Sequence, residues 1–339
     1  MQHLDADAQA AVKQRLLEDA LRHIGKLHAD RILPAIHGPA WGYRYRARLG
    51  VRLVPSKGGL RVGFHERRSS YIVDMRTCPV LPPAISALSA VILPPATVQL
   101  SPAISALLPR LRTMLAGLSI ADRLPQVEIA VGEESTVFVF RNLLPFSAAD
   151  EKQLAAFADA EGIQAWGQPA GPDSARPLHP ANAQLPFYTL PEFGLRLDFR
   201  PTDFTQVNAD INRLLIRRSM QLLDPRPGER IADLFCGLGN FSLPIARLGA
   251  EVVGVEGSEA LVERAHVNAA RNGLAARCEF HAANLFETTE DSLAALGRLD
   301  KLLIDPPREG AIAVERSTAC PAGRARTAWP CSDRSTRCC

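Results

Sequence analysis

Between Ala8 and Leu27 the apolar residues Val12, Leu16, Leu17, Leu21 and Ile24 fall near helical spacing, and Gly25 and His28 follow. That pattern predicts an amphipathic helix. From Tyr43 to Val54 the period changes to alternation, then come Gly58-Gly59, a run from Leu60 to Phe64, and a third run through Tyr71-Ile72-Val73. Two short runs joined by Pro-Ser-Lys-Gly-Gly predict an antiparallel hairpin within a small sheet. A proline-rich region from Pro79 to Pro109 opens a helical or irregular excursion. Strand signals resume at Gln126–Val131 and Thr136–Arg141, and Ser147-Ala-Ala-Asp150 resembles a capping box opening a helix to about Ala160. Gln168 to Leu185, rich in Pro, Ala and Gly and without periodicity, reads as a loop.

Beyond that loop the pattern changes. Arg230–Phe235, Glu251–Glu256 and Lys301–Asp305 are short apolar runs separated by helical patterns, a βαβ series that implies a mostly parallel sheet covered on both faces. From Glu315 onward the 25 residues contain no Leu, Ile, Val or Phe but five Arg and four Cys, which cannot close a core. This stretch reads as out-of-frame translation or an altered terminus. A metal-binding tail is the alternative, and the spacing of Cys320, Cys331, Cys338 and Cys339 fits no ligand pattern.

The 339 residues suggest two domains. Apolar residues at 47% and charged ones at 22% exclude a disordered or fibrous chain. No run of 18 apolar residues argues for a membrane span, and the polar start Met1-Gln2-His3-Leu4-Asp5 points to the cytoplasm. Net charge is only +3, yet Tyr43–Arg68 holds eight basic residues (Arg44, Arg46, Arg48, Arg52, Lys57, Arg61, Arg67, Arg68) against Glu66 alone. Such a window is either a footprint for phosphates or a solvated strand face with snorkelling arginines. Seven cysteines form no CxxC pair, so neither a zinc ribbon nor a thioredoxin-type site is read.

The strongest chemical signal is Asp233-Leu-Phe-Cys-Gly-Leu-Gly-Asn-Phe241, a strand entering Gly237-Leu238-Gly239 and then a helix, with Asn240 placed as its N-cap. Glu256 follows Gly239 by 17 residues at the end of the second strand, where an acid accepts the two ribose hydroxyls of a nucleoside. A dinucleotide fingerprint needs Gly or Ala where Ser242 stands, so a single Gly-x-Gly turn suits S-adenosylmethionine better than NAD. Asn284 follows a short third strand, Cys278–His281, where a side chain meets the adenine edge, and Asp305-Pro306-Pro307 ends the fourth. At the carboxyl ends of the strands these groups converge on one crevice. The plain alternative has Glu256 and Asp305 capping helices or solvating loops.

Asp-Pro-Pro also occurs in amino-nitrogen methyltransferases, there usually followed by an aromatic residue, whereas Arg308-Glu309-Gly310-Ala311 follows here. Together with Phe204-Thr-Gln-Val-Asn208 and the Asp233–Phe241 motif, this closely resembles the RNA (uracil-5-)-methyltransferase family. Trp41–Leu49 and Met75-Arg-Thr-Cys-Pro79 resemble its bacterial 23S ribosomal RNA branch. The resemblance spans residues 1 to about 314 and implies a Rossmann-like α/β methyltransferase core with an incomplete sheet, preceded by a smaller α+β domain with an antiparallel sheet. It implies an RNA-facing domain over 1–200, an S-adenosylmethionine domain over 201–314, and a tail over 315–339. Gln206, Phe235, Asn240, Glu256, Asn284 and Asp305 match the family's cofactor-binding positions. Phe204 is expected near the flipped target base, and Arg44, Arg46 and Arg48 on an RNA-facing surface, with Tyr43 and Tyr45 able to stack on bases. The implied partner is 23S rRNA, not DNA or a membrane, and the intact family is expected to be monomeric.

In this family a cysteine thiolate adds to uracil C6, making C5 nucleophilic, and a carboxylate base then removes the C5 proton. The family's Ser-Cys-Asn-Pro motif and its base glutamate are absent, so no nucleophile is assigned; Cys320 precedes Pro321, and Cys236 has a small apolar role. Cys78 matches one of four ligands of a [4Fe-4S] cluster, and Met1 falls just after where the other three are expected, so no cluster is expected in this chain. The chain is thus expected to be truncated at both ends, with Lys301–Ile304 left as an unpaired apolar edge. The competing readings are an inactive cofactor- or RNA-binding remnant and, ranked last, an amino-group methyltransferase.

Overall fold

The computed structural model describes residues 4–82, 104–307, 310–318 and 326–327. Helix α1 (Ala6–Asp19) starts at Asp5, whose carboxylate accepts from the Ala8 amide, and runs into one π-helical turn at Ala20–Ile24. The predicted helix forms, but it buries none of its residues, and Leu16 and Leu17 are each 59% exposed.

Strands β1 (Arg46–Val54) and β2 (Gly59–Gly63) make the predicted hairpin, turned at Pro55–Lys57 and by Gly58 at φ 83°. The run at Tyr71–Val73 is not a strand and adds only an isolated bridge from Ile72 to His65. Helix α2 (Ile104–Ala116) lays Leu107, Leu108, Leu111 and Leu115 on this sheet, all fully buried. The stretch 83–103 of the proline-rich region lies outside the described residues. β3 (Gln126–Val131), β4 (Thr136–Arg141) and α3 (Ala148–Glu161) form where the pattern placed them. The capping box is present: Ser147 and Asp150 exchange bonds, and Asp150 also accepts from the Ser119 amide and hydroxyl. Burial alone raises the Asp150 carboxyl, but the bonds from Ser119 and Ser147 outweigh it and hold the group at about 2.

β5 (Gln164–Gln168) lies parallel to β4 after the α3 crossover, and β6 (Arg176–His179) pairs antiparallel with β5. β6 corrects the loop reading of Gln168–Leu185. Its Pro177 cannot donate to a ladder, and an edge strand tolerates that. The sheet order is β2-β1-β3-β4-β5-β6.

A two-stranded hairpin follows, β7 (Phe187–Leu190) and β8 (Leu195–Asp198), and then α4 (Ala209–Leu223), capped by Asn208. The second sheet alternates β9 (Arg230–Leu234), α5 (Ser242–Arg247), β10 (Glu251–Glu256), α6 (Glu259–Arg271), β11 (Cys278–Ala282), α7 (Glu290–Ala294), β12 (Lys301–Ile304), α8 (Ile312–Thr318) and β13 (Arg326–Thr327). All its pairings are parallel, in the order β11-β10-β9-β12-β13. Strand alternation splits its core: Ile231 and Val252 pack with α4, α5 and α6, whereas Ala232, Leu234, Val255 and Ile304 pack with Ala311 and Val314 on the other face. Both faces are covered, as the apolar runs predict.

The expected bare edge is corrected at Lys301 and Leu302, which pair with Arg326 and Thr327. Leu302 and Ile304 are buried, and α8 continues to Thr318. Arg308, Glu309 and the four late cysteines lie outside the described residues.

Direct bonds join the first sheet to the segment before α4, to the β7–β8 hairpin and to α4. The Tyr45 amide donates to the Val207 carbonyl at 2.8 Å. Glu133 Oε1 accepts from the Thr189 amide, the Thr189 hydroxyl and Arg213 Nη2 at 2.7–2.8 Å.

Candidate active site

The register of the parallel sheet sets the site. Val255 pairs with Leu234, Ile304 with Leu234, and Glu256 with Ala282, so the chain segments bearing Phe235, Glu256, Asn284 and Asp305 leave their strands along one edge. Phe235 turns away from β9 at φ 66°, a conformation that β-carbon crowding disfavours and that concentrates at functional sites. Its amide and that of Cys236 both donate to the Val255 carbonyl, at 2.8 and 3.1 Å. Gly237 and Gly239 then continue at φ 57° and 96°, and the Gly239 amide donates to the Cys236 carbonyl. The Phe235 ring meets Phe286 edge-on, 5.9 Å between centroids. Phe286 escaped sequence reading because its short turn, Leu285–Glu287, has no periodicity.

Glu256 stands beside the loop. Its Oε2 accepts from the Gly237 amide and its Oε1 from the Ser258 amide, both at 3.1 Å, which orients the carboxylate and leaves each oxygen a second acceptor position. Asn284 caps the turn through Oδ1, to the Phe286 amide, and its Nδ2 has no partner among the described residues. The Asp305 amide donates to the Leu234 carbonyl at 3.3 Å. Asp305 ends β12 at the surface, and partial burial of its carboxyl group raises its pKa.

Asn240 is not the helix cap that its position suggested. α5 begins at Ser242, and Phe241 occupies the cap without a side-chain bond. The Asn240 amide is engaged sideways instead: Oδ1 accepts from the Tyr188 hydroxyl at 2.8 Å and from Asn212 Nδ2 at 3.0 Å, while Nδ2 donates to Asn212 Oδ1 at 2.9 Å. From beneath, buried Asn268 ties the glycine turn down by donating to the Leu238 carbonyl, and it also bonds both backbone groups of Asp198. Tyr188, Asn212 and Asn268 were missed because nothing local marks them; each reaches the loop from 28 to 52 residues away.

Asp233, fully buried, accepts from the Ser242 hydroxyl at 2.5 Å, and its other oxygen has no hydrogen-bond partner among the described residues. Burial pushes its carboxyl up to about 7; the Ser242 bond opposes this, and the Asp305 and Glu256 charges add to it. Burial likewise raises the Cys236 and Cys278 thiols, Cys278 to about 12, so neither offers a thiolate near neutral pH.

Phe204 is 69% exposed in the segment running to the α4 cap, and Gln206 lies half-buried between them. Of the basic window, Ala47, Leu49 and Val51 face the core and the arginines the opposite side. Arg46 is largely covered there, its side chain 15% exposed and paired with buried Glu128, which Arg48 also contacts at 2.7 Å. Arg44 lies over the Phe64 ring, 5.9 Å from its centroid. Tyr43 and Tyr45 pack against the core rather than presenting free rings. Arg48, Arg52, Arg67 and Arg68 are the exposed arginines of this run. Cys78 is buried, and among the described residues no group of three or more His, Cys, Asp or Glu is placed to hold a metal ion. The Cys78 thiolate alone does not complete a cubane cluster.

A methyltransferase domain model matches residues 225–313, the second sheet from before β9 to α8. The 23S rRNA (uracil(1939)-C(5))-methyltransferase RlmD of Aromatoleum aromaticum is 68% identical over 317 residues, 94% of this chain and 69% of that protein. The chain belongs to the RlmD family. The RlmD protein of Azoarcus sp. is likewise 68% identical with the same coverage, and that of Paraburkholderia xenovorans is 55% identical over 319 residues, 94% of this chain and 63% of that one. In fold, the chain resembles the Pyrococcus abyssi tRNA (uracil-54, C5)-methyltransferase solved with S-adenosyl-L-homocysteine, with a TM-score of 0.63 at 19% identity over 93% of this chain and 72% of that one. Among the described residues no helix is long and apolar enough to cross a membrane.

Proposed function

We propose that the crevice at the carboxyl edge of the second sheet binds S-adenosylmethionine and that the chain serves methylation of a uridine C5 in 23S rRNA. The observation that carries this reading is the gathering of Phe235, Asn240, Glu256, Asn284 and Asp305 around one strained glycine turn, in a member of the RlmD family. Glu256 offers two oriented acceptors to ribose hydroxyls, Asn284 a free amide to the adenine edge, and Asp305 negative charge to a cationic ligand. The cofactor, when bound, supplies an electrophilic methyl group on sulfonium sulfur. Gln206 and Phe204 stand on the α4 side of the same crevice in this reading, with the exposed Phe204 ring offering a face for a splayed base.

Residues 201–314 serve as the cofactor unit and 1–200 as the RNA-facing unit in this proposal. Its phosphate-binding charge comes from the exposed Arg52, Arg67 and Arg68 together with Arg48, more than from the covered Arg46. For single-stranded RNA, the double substitution Arg67→Ala, Arg68→Ala is expected to lower the slope of log affinity against log salt by about 0.7 for each phosphate left without its arginine. An unchanged slope in filter-binding titrations removes this turn from the interface.

Calorimetry with S-adenosylhomocysteine, followed by tritium release from 23S rRNA carrying C5-labelled uridine once S-adenosylmethionine is supplied as methyl donor, tests the function. Ligand binding together with tritium release is the expected result, and release requires a nucleophile other than the Cys236 and Cys278 thiols, which burial keeps protonated. Failure to bind the ligand sinks the cofactor site, and binding without release sinks the methyl transfer.

A further inference from the structure

At Asn240 the glycine turn is gripped by α4 through Asn212 and by β7 through Tyr188. The pattern of donors is asymmetric. Oδ1 receives two hydrogen bonds, which fills its acceptor capacity, and one hydrogen of Nδ2 goes back to Asn212. The second Nδ2 hydrogen has no partner among the described residues, and Asn240 is partly exposed. Burial pushes the Tyr188 hydroxyl pKa up, so it remains a donor through neutral pH. Asn212 is itself buried, so its amide cannot turn away to water at no cost.

We propose that Tyr188 and Asn212 are positioning residues that lock the Asn240 amide with one N–H facing the crevice, where it donates to the carboxylate at the amino-acid end of the nucleoside cofactor. The inference rests on the cofactor reading above and deepens it. Order along the sheet selects that end of the ligand. Asn284 follows β11, Glu256 ends β10, and Asn240 lies past β9 on the side of α4, so base, ribose and amino acid fall in that sequence. A locked donor suits an anionic acceptor, because a charge-assisted bond is shorter and about twice as strong as a neutral one.

The test pairs two ligands that differ only at that end. S-adenosylhomocysteine carries the carboxylate, whereas 5′-methylthioadenosine keeps base, ribose and sulfur and lacks the amino acid. Calorimetry on the unsubstituted chain, Tyr188→Phe and Asn212→Ala is expected to show S-adenosylhomocysteine weakened about tenfold by either substitution, with 5′-methylthioadenosine changed less than about twofold. Asn240→Ala removes the donor itself and is expected to give the same selective loss, which keeps the test open should Tyr188→Phe or Asn212→Ala fail to fold. A parallel loss for both ligands, or no loss for either, overturns the positioning role. If the unsubstituted chain binds neither ligand, the cofactor reading fails, and this inference with it.

Discussion

Glu256→Ala is expected to weaken S-adenosylhomocysteine binding by about 100-fold. The carboxylate is held from both sides by the Gly237 and Ser258 amides, so its remaining lone pairs are aimed before any ligand arrives. Hydrogen bonds to a charged acceptor contribute about 1.5–3 kcal/mol each, and the two ribose hydroxyls lose both at once. At the low end of that range the pair amounts to about 3 kcal/mol, close to the ~2.7 kcal/mol that a 100-fold change represents. Glu256→Gln separates charge from shape. It keeps the size of the side chain but puts an amide nitrogen against one of two backbone donors, so its loss should approach that of alanine. Titration calorimetry at fixed pH reads both, and thermal melts show how much the two unpartnered amides cost the fold. An affinity within about twofold of the unsubstituted chain takes Glu256 out of the site.

Asp233→Asn is expected to abolish a large pH dependence of stability. In the folded chain the buried carboxyl has a pKa of about 7, against about 3.9 in an unfolded chain. Between those values the folded state holds a proton that the unfolded state has released. Stability therefore falls as pH rises from about 4 to about 7, and it levels off above that. The full span corresponds to about 4 kcal/mol. An asparagine carries no titrating proton and can still accept from the Ser242 hydroxyl, so Asp233→Asn should gain on the unsubstituted chain by that amount between about pH 4 and about pH 8. Urea unfolding of both proteins across that range isolates the difference, since the other titrating groups cancel. A difference that stays constant with pH excludes Asp233 as the group responsible.

Both expectations come from one turn of chain, and the sequence shows half of its logic. Asp233-Leu-Phe-Cys-Gly-Leu-Gly announces a strand entering a tight turn, and Glu256 and Asp305 end the next runs of the same kind. Parallel strands joined by helices put all their carboxyl ends on one edge, so their convergence was legible without coordinates. The partners of Asn240 were not. A cap is a local bond between near neighbours, whereas Tyr188 lies 52 residues away on a short hairpin that carried no pattern strong enough to read. The basic window shows the same limit. Alternation assigns Arg46 and Arg48 to the face opposite Leu49, but only the pairing of Arg48 with Glu128 on β3 reveals that the outer face is partly covered there.

By itself, then, the sequence determined the first hairpin, β3, β4 and α3, the parallel character of the second sheet, the family, and which acidic residues end its strands. These follow from periodicity, turn chemistry and short-range bonding, all written within about a dozen neighbouring residues. Tertiary structure alone decided that Pro177 sits in an edge strand, that Lys301 and Leu302 find partners in Arg326 and Thr327, and that Asn240 presents a single locked donor. Each of those depends on segments brought together by packing. Burial there turns an ordinary amide or carboxylate into one with a fixed orientation and an altered proton affinity.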